Sequence, residues 1–315
     1  LFSLLVAAVV ASGHEIAGLD ADVVGPVAVL DWEDDSSVYQ ERLRAICAGA
    51  GIDISKVHIE HKRMVASLHE SEREVRQWIG SIGARLALVD SLGMACGGDP
   101  ADAALMMQTM IAARGLNVPV LAIHHLPKDA KDKSRPYGSV YAAAEARMTW
   151  LIEKDANSVP GSTRIALTNR KSNRSGRHKR QSFEFVFTSD PDTEEMLRLD
   201  VRTLSFTEAA DVGTGAGQKW VIAKALQSGP LSAESIAGVT GISVAGCRMQ
   251  LNRHKQFFIK TPAGTWALIA EDDRVSDMNQ SESVIQRISN QGGPFKTPID
   301  TVIRSSLEEG EGTPW

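Results

Sequence analysis

Apolar positions along the chain first form one uninterrupted run and then recur at two spacings. The opening run, LFSLLVAAVVASG, predicts a buried helix that ends at Gly13, because glycine accepts the left-handed backbone of a helix C-terminus. Residues 26–31 form a Val-rich run typical of a strand buried on both faces. Apolar residues over 36–50 return at helical spacing. The pattern predicts a strand, an acidic turn and a helix.

The opening run also has the character of the apolar region of a signal peptide. No basic stretch precedes it, which argues against export. It is also shorter than the roughly twenty apolar residues that span a bilayer. We therefore interpret it as a buried helix and expect no membrane contact.

The same alternation continues to about residue 152, and two further strands follow it. Helices are predicted over residues 71–82, 100–114 and 140–145, and strands over residues 85–90, 118–123, 148–152, 162–168 and 182–187. Alternating strands and helices imply right-handed crossovers and a parallel sheet. Residues 1–204 are therefore predicted to form an α/β domain with a mostly parallel sheet and flanking helices.

A smaller domain is predicted after a linker at residues 205–217, which is rich in Gly, Thr and Ala. The predicted elements are three helices over 218–227, 232–239 and 243–252, then a hairpin with strands over 257–260 and 265–269. This order predicts a winged helix-turn-helix domain over residues 218–270. The polar tail, residues 271–315, is expected to be largely flexible.

Composition and charge divide the chain in the same way. It has 315 residues, 43% of them hydrophobic, so it can bury a large core and has room for two domains. The net charge is −5, yet residues 217–270 contain six basic residues against one acid, so a basic module follows an acidic one. Cys47, Cys96 and Cys247 suit neither a disulfide framework nor a zinc site, which favours a reducing cytoplasm.

Polar residues follow three predicted strands, at the edge where open parallel sheets bind their ligands. Asp90 ends the strand in RLALVDS and can hold Mg²⁺ through water, although an acid there is often only a helix cap. Glu33 follows the strand PVAVLD and can take a proton from an attacking water, or belong to a solvated acidic turn. His124 and His125 end the strand VPVLAIHH, and Lys128 follows. The histidines can contact a phosphate or be structural, and alone they are no convincing metal site.

The ordered set LDWEDD, LALVDS, HHLPK and GSVYAAAEARMTW resembles the RepA-like hexameric ATPases of the RecA type. The resemblance extends over roughly the first 176 residues and implies a RecA-like fold that binds ATP and Mg²⁺. It implies that Glu33 polarises the attacking water and that Asp90 is the Walker B aspartate. It also implies that His124 and His125 read the state of the terminal phosphate, and that Lys128 matches the lysine that follows them.

Three basic residues are candidates for contact with a neighbouring subunit. Arg147 matches the arginine that such enzymes insert into the next subunit's site, nine residues after Gly138, and a salt-bridged surface arginine is the alternative. Lys171 and Arg174, in NRKSNRSG, resemble the KxxR-like element of RecA-type helicases and compete for the same role. Each of these assignments requires a ring, and the family implies a hexamer.

One family element is missing from the sequence. No GxxxxGK[ST] occurs in it, and GTGAGQKW has Gln-Lys where Gly-Lys is needed. The opening run resembles the helix that follows this loop in the family, so we expect a sequence truncated just after the loop. We also expect the chain as it stands to bind ATP poorly, because the loop's backbone N–H groups and its lysine hold the phosphates.

Two basic segments are candidates for contact with nucleic acid. Residues 243–252 are the expected recognition helix, and the candidate DNA contacts are Arg248, Gln250, Asn252, Arg253 and Lys255. Winged helices also dock proteins, so that alternative stays open. Residues 170–180 hold six basic residues and no acid, which suits either a channel for single-stranded DNA or a solvated loop.

These features predict a DNA-stimulated ATPase ring that couples hydrolysis to unwinding or translocation in plasmid or phage replication. Single-stranded DNA is expected in the ring channel and duplex DNA at the winged helix. Two alternatives stay open. One is a RecA-like ATPase that loads or remodels partners without unwinding DNA. The other is a winged-helix transcriptional or replication regulator whose RecA-like domain does not hydrolyse nucleotide.

Overall fold

The computed structural model describes residues 1–33, 35–126, 137–155, 158–173, 178–212, 217–269 and 301–306. The helices are α1 Phe2–Ser12, α2 Ser36–Ala50, α3 Leu68–Ile82, α4 Leu92–Ala95, α5 Ala103–Gly115, α6 Tyr141–Glu145, α7 Gln218–Leu226, α8 Ala233–Thr240 and α9 Val244–Arg253. The strands are β1 Val27–Asp31, β2 Ile59–Arg63, β3 Leu86–Asp90, β4 Val120–His125, β5 Met148–Lys154, β6 Ser162–Ser172, β7 Gln181–Ser189, β8 Met196–Thr203, β9 Phe258–Lys260, β10 Trp266–Leu268 and β11 Thr301–Ser306. Short 3₁₀ helices lie at Ile54–Lys56 and Glu208–Asp211.

The chain forms two compact units. The first contains Leu1–Thr203 together with Pro294–Trp315, and the second contains Leu204–Gly293. Among the described residues, the first unit holds one nine-stranded sheet in the order β2-β1-β3-β4-β11-β5-β6-β7-β8. The strands from β2 to β5 in this order are parallel neighbours, and β5 to β8 form an antiparallel meander. The prediction of a RecA-like α/β fold with a mostly parallel sheet is confirmed.

Strand β1 is buried on both faces because its side chains alternate between two apolar layers. Val27 and Val29 belong to the layer that contains α1, α2 and β7, whereas Ala28 and Leu30 belong to the layer that contains α3 and α5. Helix α1 contributes most of its residues to the first layer. It ends at Gly13 with φ +69°, so the prediction of a buried helix ended by this glycine is confirmed.

Two edge strands, β2 and β8, are absent from the predictions. The sequence of β2, IEHKR, has one apolar residue in five, because an edge strand needs no continuous apolar run. Strand β8 lies against α2, where a Cβ on Gly49 would be 1.8 Å from the carbonyl oxygen of Leu199. Arg198 on β8 also donates a hydrogen bond to the carbonyl of Ala48 at 2.9 Å. This close approach joins the far edge of the meander to α2.

Strands β6 and β7 are longer than predicted. Strand β6 continues to Ser172, and β7 begins at Gln181. Lys171 was predicted to lie in a loop, but it belongs to β6 and is paired with Thr149 on β5. The polar sequence NRKS does not reveal this, because antiparallel ladder hydrogen bonds require no apolar side chains.

The second unit contains the predicted elements in the predicted order, α7, α8, α9 and the antiparallel hairpin β9–β10. Its identity as a winged helix stays a prediction. The segment predicted to be a linker carries the 3₁₀ helix, and Ala209, Ala210 and Val212 are buried. Phe206 stacks on Phe257 with ring centroids 4.0 Å apart. The segment before α7 therefore packs into the second unit, since it supplies apolar side chains that a free linker would leave in water.

One segment of the predicted tail is a strand in the structure. Residues 301–306 form β11, which pairs in parallel with β4 and β5. The remainder of the predicted tail, residues 271–300 and 307–315, lies outside the described residues. Within the described part of the chain, each helix is too short or too polar to cross a bilayer.

Candidate active site

Glu33, Ser91 and His125 meet at the carboxyl edge of three neighbouring parallel strands, β1, β3 and β4. Asp31 is paired with Asp90, so β1 and β3 end at the same level. The hydroxyl of Ser91 donates a hydrogen bond to Oε1 of Glu33, and Nε2 of His125 lies 3.1 Å from the same oxygen. The strand ends thus place one carboxylate between a hydroxyl and an imidazole.

The surroundings of Glu33 keep it ionised. The pKa of this carboxyl group is lowered, and the hydrogen bond with His125 is the largest cause. Partial burial acts to raise the pKa, whereas the hydrogen bond from Ser91 lowers it further. The side chain of Glu33 is 35% exposed, so solvent or a substrate can reach it. Among the described residues no hydrogen bond reaches Oε2. This second oxygen is therefore available to accept a hydrogen bond from a water molecule.

The two histidines of β4 occupy different environments, because neighbouring side chains in a strand point to opposite faces. His125 is half-exposed and contacts Glu33. His124 is buried and packs beside Gly93, where a Cβ would lie 3.6 Å from its Cε1 atom. The structure therefore brings His125 to the carboxylate and places His124 in the interior.

Ser91 is the contact residue that sequence reasoning missed. Its hydroxyl follows Asp90 directly in LALVDS, and the residue is fully buried. A hydroxyl residue after a strand-ending acid is a weak signal by itself, since serine is also a common helix N-cap. Ser91 does occupy the N-cap position of α4, but its side chain makes no cap hydrogen bond there. Its hydroxyl serves Glu33 instead.

Asp90 fits the predicted contact with Mg²⁺ through water. It ends β3 beside Ser91 and is partly exposed. Among the described residues no group of three or more His, Cys, Asp or Glu side chains could hold a metal ion alone. Proteins often bind Mg²⁺ with one or two carboxylates together with water and substrate phosphates, and a single aspartate suits that arrangement. Lys128, predicted to act beside this site, lies outside the described residues.

Arg147 lies at the opposite edge of the sheet from Glu33. It precedes β5, and its carbonyl accepts a hydrogen bond from the backbone N–H of Asn173 at 3.0 Å. Two residues earlier, the carboxylate of Glu145 accepts a hydrogen bond from Arg114. Arg114 lies in the last turn of α5, the helix that precedes the start of β4. Arg147 is therefore at the amino-terminal edge of the parallel strands. It is exposed there.

Lys171 lies near the same edge but is held by its own chain. Its ammonium group donates hydrogen bonds to the carbonyl oxygens of Ala143 at 3.1 Å and Ala144 at 2.6 Å. Burial lowers the pKa of Lys171, and the nearby charge of Glu145 opposes this. These contacts suit a lysine that caps the end of α6. Arg174, its predicted companion, lies outside the described residues.

The predicted DNA-contacting residues cluster on α9 and just beyond it. Arg248 pairs with Glu234 at 2.5 Å, Gln250 donates to Gln218 at 3.1 Å, and Asn252 donates to the carbonyl of Arg248 at 2.9 Å. Arg253 and Lys255 are exposed. Arg248, Asn252 and Lys255 also line a groove with Lys260 of β9 and the apolar side chains of Phe258 and Trp266. One face of this unit thus presents several cations.

Comparison with known proteins finds a family match within the first unit. Residues 1–131 match the profile of a family described as an AAA domain. The search of curated proteins found no match. Among solved structures, a KaiC-like protein from the hyperthermophilic archaeon Pyrococcus horikoshii is 12% identical, with a TM-score of 0.37 over 57% of this chain and 76% of that chain. The family match, rather than this distant likeness, supports a nucleotide-hydrolysing, ATPase-type domain in residues 1–131.

Proposed function

We propose that this protein is a ring-forming, DNA-stimulated ATPase that couples ATP hydrolysis to unwinding of, or movement along, DNA. The observation that carries the proposal is the placement of Glu33 between Ser91 and His125 at the carboxyl edge of the sheet. Open parallel sheets bind nucleotides at this edge. The family match of residues 1–131 supports the hydrolytic part of the proposal.

Glu33 orients the attacking water in this proposal. Its Oε1 atom is fixed by Ser91 and His125, so its second oxygen has a defined direction in which to accept a proton or a hydrogen bond. Because its pKa is lowered, Glu33 is a weak base, and it polarises the water more than it fully deprotonates it. Bound at Asp90 with the nucleotide, Mg²⁺ would supply charge neutralisation on the phosphates.

His125 links the state of the nucleotide to Glu33. Its Nε2 atom is 3.1 Å from the carboxylate, and half of its side chain is exposed, so an arriving phosphate oxygen can compete for the same ring nitrogen. When a phosphate takes this hydrogen bond, Glu33 loses its strongest partner and becomes more basic. The two residues would then respond together to the terminal phosphate.

Arg147 acts on a neighbouring copy of the chain in this proposal. It is exposed at the amino-terminal edge of the sheet, while Glu33 lies at the carboxyl edge, so the two side chains of one chain cannot share one phosphate. A cyclic arrangement brings opposite edges of neighbouring copies together. There Arg147 would neutralise charge that develops on the transferred phosphoryl group. Lys171 is a weaker candidate, because its ammonium is engaged by α6.

DNA is the proposed partner of the second unit. The exposed cations Arg253 and Lys255, together with the groove lined by Arg248 and Lys260, suit contact with phosphates. The contribution of each phosphate contact to the affinity for DNA is expected to fall as the salt concentration rises, because counterions are released on binding.

The test is ATP turnover by the full gene product with and without single-stranded DNA. Glu33→Gln preserves the acceptor for Ser91 but turns the other oxygen into a donor, so turnover should fall by about two to four orders of magnitude. Arg147→Ala should lower it by about a thousandfold or more. Glu60→Gln and Arg73→Ala, at exposed positions on β2 and α3, are the matched controls and should keep wild-type turnover.

Mixing the two inactive variants tests whether Arg147 acts between copies. In an equal random mixture about a quarter of the interfaces pair an intact Glu33 with an intact Arg147, so turnover should return to roughly that fraction. Turnover that stays absent after mixing would contradict the action of Arg147 on a neighbouring copy. A strand-displacement assay then separates a helicase from an ATPase that only loads or remodels partners.

A DNA-binding regulator without hydrolysis is the second candidate. The cationic groove beside α9 favours it, because such a groove suits contact with DNA phosphates whether or not the first unit hydrolyses nucleotide. In that case the full gene product binds duplex DNA but shows no ATP turnover in either the presence or absence of DNA. Turnover that depends on Glu33 would exclude it.

A further inference from the structure

Asp31, two residues before Glu33, is a buried carboxylate between the strand ends of the site. It is 3% exposed, and its neighbours in the sheet are Arg63 on β2 and Asp90 on β3. Its Oδ1 atom accepts a hydrogen bond from the backbone N–H of Glu33 at 2.8 Å. A side chain that accepts from the backbone two residues ahead forms an Asx turn, which fixes the path of the chain after the strand.

The other oxygen of Asp31 contacts a partly buried histidine. Its Oδ2 atom is 3.0 Å from Nε2 of His61, whose side chain is 11% exposed. The ring of His61 lies against Tyr39 of α2, with centroids 4.9 Å apart. The two oxygens of Asp31 thus face different ways, one toward Glu33 and one toward the edge strand β2.

Burial of this carboxylate is costly for the fold. Moving an ionised group out of water costs several kcal/mol unless hydrogen bonds and charges compensate. The preceding residue, Leu30, is fully buried in the apolar layer, so the end of β1 accepts apolar side chains without difficulty. The Asp31 carboxylate is explained better by what it holds than by the packing it provides.

We propose that Asp31 is a positioning residue for Glu33 and that His61 holds Asp31 in place. This inference rests on the proposed function, in which Glu33 orients the attacking water. Asp31 touches neither the water nor the nucleotide in this role. It fixes the backbone at Glu33, so that the carboxylate reaches Ser91 and His125, and the loss of this constraint misdirects the carboxylate.

The experiment measures kcat and KM for ATP in the full gene product. Asp31→Ala removes both contacts, and kcat should fall about ten- to a hundredfold with less than a threefold change in KM. Asp31→Asn keeps an oxygen acceptor for the N–H of Glu33 and should restore at least a third of wild-type kcat. The control is Asp53→Ala, which removes the same kind of turn hydrogen bond, to Ser55, at an exposed position.

Amide hydrogen exchange supplies a readout that does not need turnover. The N–H of Glu33 should exchange faster in Asp31→Ala than in the wild type, while the sheet amides of β1 and β3 keep their protection. Loss of protection throughout the sheet would mean that the variant does not fold. In that case kcat and KM of the variant His61→Leu test the proposal. A lower kcat at unchanged KM supports it, and a wild-type kcat overturns it.

The outcomes separate this inference from the proposed function. If the wild type hydrolyses ATP and Glu33→Gln is inactive, a folded Asp31→Ala with unchanged kcat overturns the role of Asp31 alone. A rise in KM equal to the fall in kcat, or failure of Asp31→Asn to recover activity, overturns it as well. A wild-type protein without ATP turnover overturns the proposed function, and the positioning role of Asp31 with it.

Discussion

Among the described glycines of the first unit, Gly49 is the one at which an added methyl group should most disturb the packing. Its Cβ would lie 1.8 Å from the carbonyl oxygen of Leu199, 2.5 Å from the carbonyl carbon of Leu199 and 3.1 Å from the backbone nitrogen of Asp200. Ordinary carbon–oxygen contacts are about 3.5 Å, so α2 and β8 must separate by roughly 1.7 Å. The obstacle is backbone on both sides, which no rotamer change can remove.

The expected magnitude follows from two opposing effects. Overpacking typically costs about 1–3 kcal/mol, and a backbone obstacle places Gly49→Ala at the upper end of this range. Alanine is also up to about 1 kcal/mol more favourable than glycine within a helix, and this offsets part of the cost. The net loss in the free energy of unfolding is therefore ~2 kcal/mol, about a thirtyfold change in the folding equilibrium.

Gly80 on α3 is the matched control. It is also near the C-terminal end of its helix, but a Cβ there would meet no heavy atom within 4 Å. Gly80→Ala should therefore raise the free energy of unfolding by about 0.5–1 kcal/mol. Urea unfolding can be monitored by hydrogen exchange of peptides from α2, α3 and the sheet. This measures the free energy of unfolding of the first unit separately from that of the second. Stabilisation by Gly49→Ala, or equal shifts for the two variants, would refute the contact between α2 and β8.

Three further predictions concern the site, a helix start and DNA. His125→Ala should raise the pKa of Glu33 toward its ordinary value, because the hydrogen bond from His125 is the largest cause of its lowering, and ¹³C NMR of the carboxyl group measures this. Ser67→Ala removes the capping box of α3 and should cost about 1 kcal/mol in urea unfolding. Replacing Arg253 and Lys255 by Ala should weaken DNA binding. The slope of the logarithm of the binding constant against the logarithm of the salt concentration, the salt slope, should become shallower by about one for each phosphate that the variant no longer binds.

Each of these predictions has a result that contradicts it. The pKa of Glu33 in the folded protein is lowered, so the stability that its ionised form adds is present above its unfolded-state pKa. That stability is lost as the pH falls through its folded-state pKa. If the free energy of unfolding of His125→Ala falls with decreasing pH in the same way as that of the wild type, the first prediction is contradicted. Unchanged unfolding of Ser67→Ala would contradict the second, and an unchanged salt slope would contradict the third. Lys56→Ala, at an exposed position in the first unit, is the control for the loss of positive charge.

Much of the first unit can be predicted from the sequence because its central strands are buried on both faces. The run VAVLD needs apolar side chains at alternating positions on each side, so β1 is visible as a continuous apolar segment. The same reasoning finds β3 and β4. It fails for β2 and β8, which lie at the edges of the sheet, and for Lys171, whose strand is held by backbone hydrogen bonds.

The sequence by itself determined that carboxylates and histidines follow neighbouring parallel strands, and so that Glu33, Asp90 and His125 lie at one edge. Only the tertiary structure decided which of them touch. The register of β1 on β3 brings the hydroxyl of Ser91 to Glu33, and the pleat of β4 turns His124 inward and His125 outward. The antiparallel return of α5 and α6 leaves Arg147 at the other edge. Such contacts depend on strand register and chain direction, which link residues far apart in sequence, and local patterns of apolar and polar residues do not encode them.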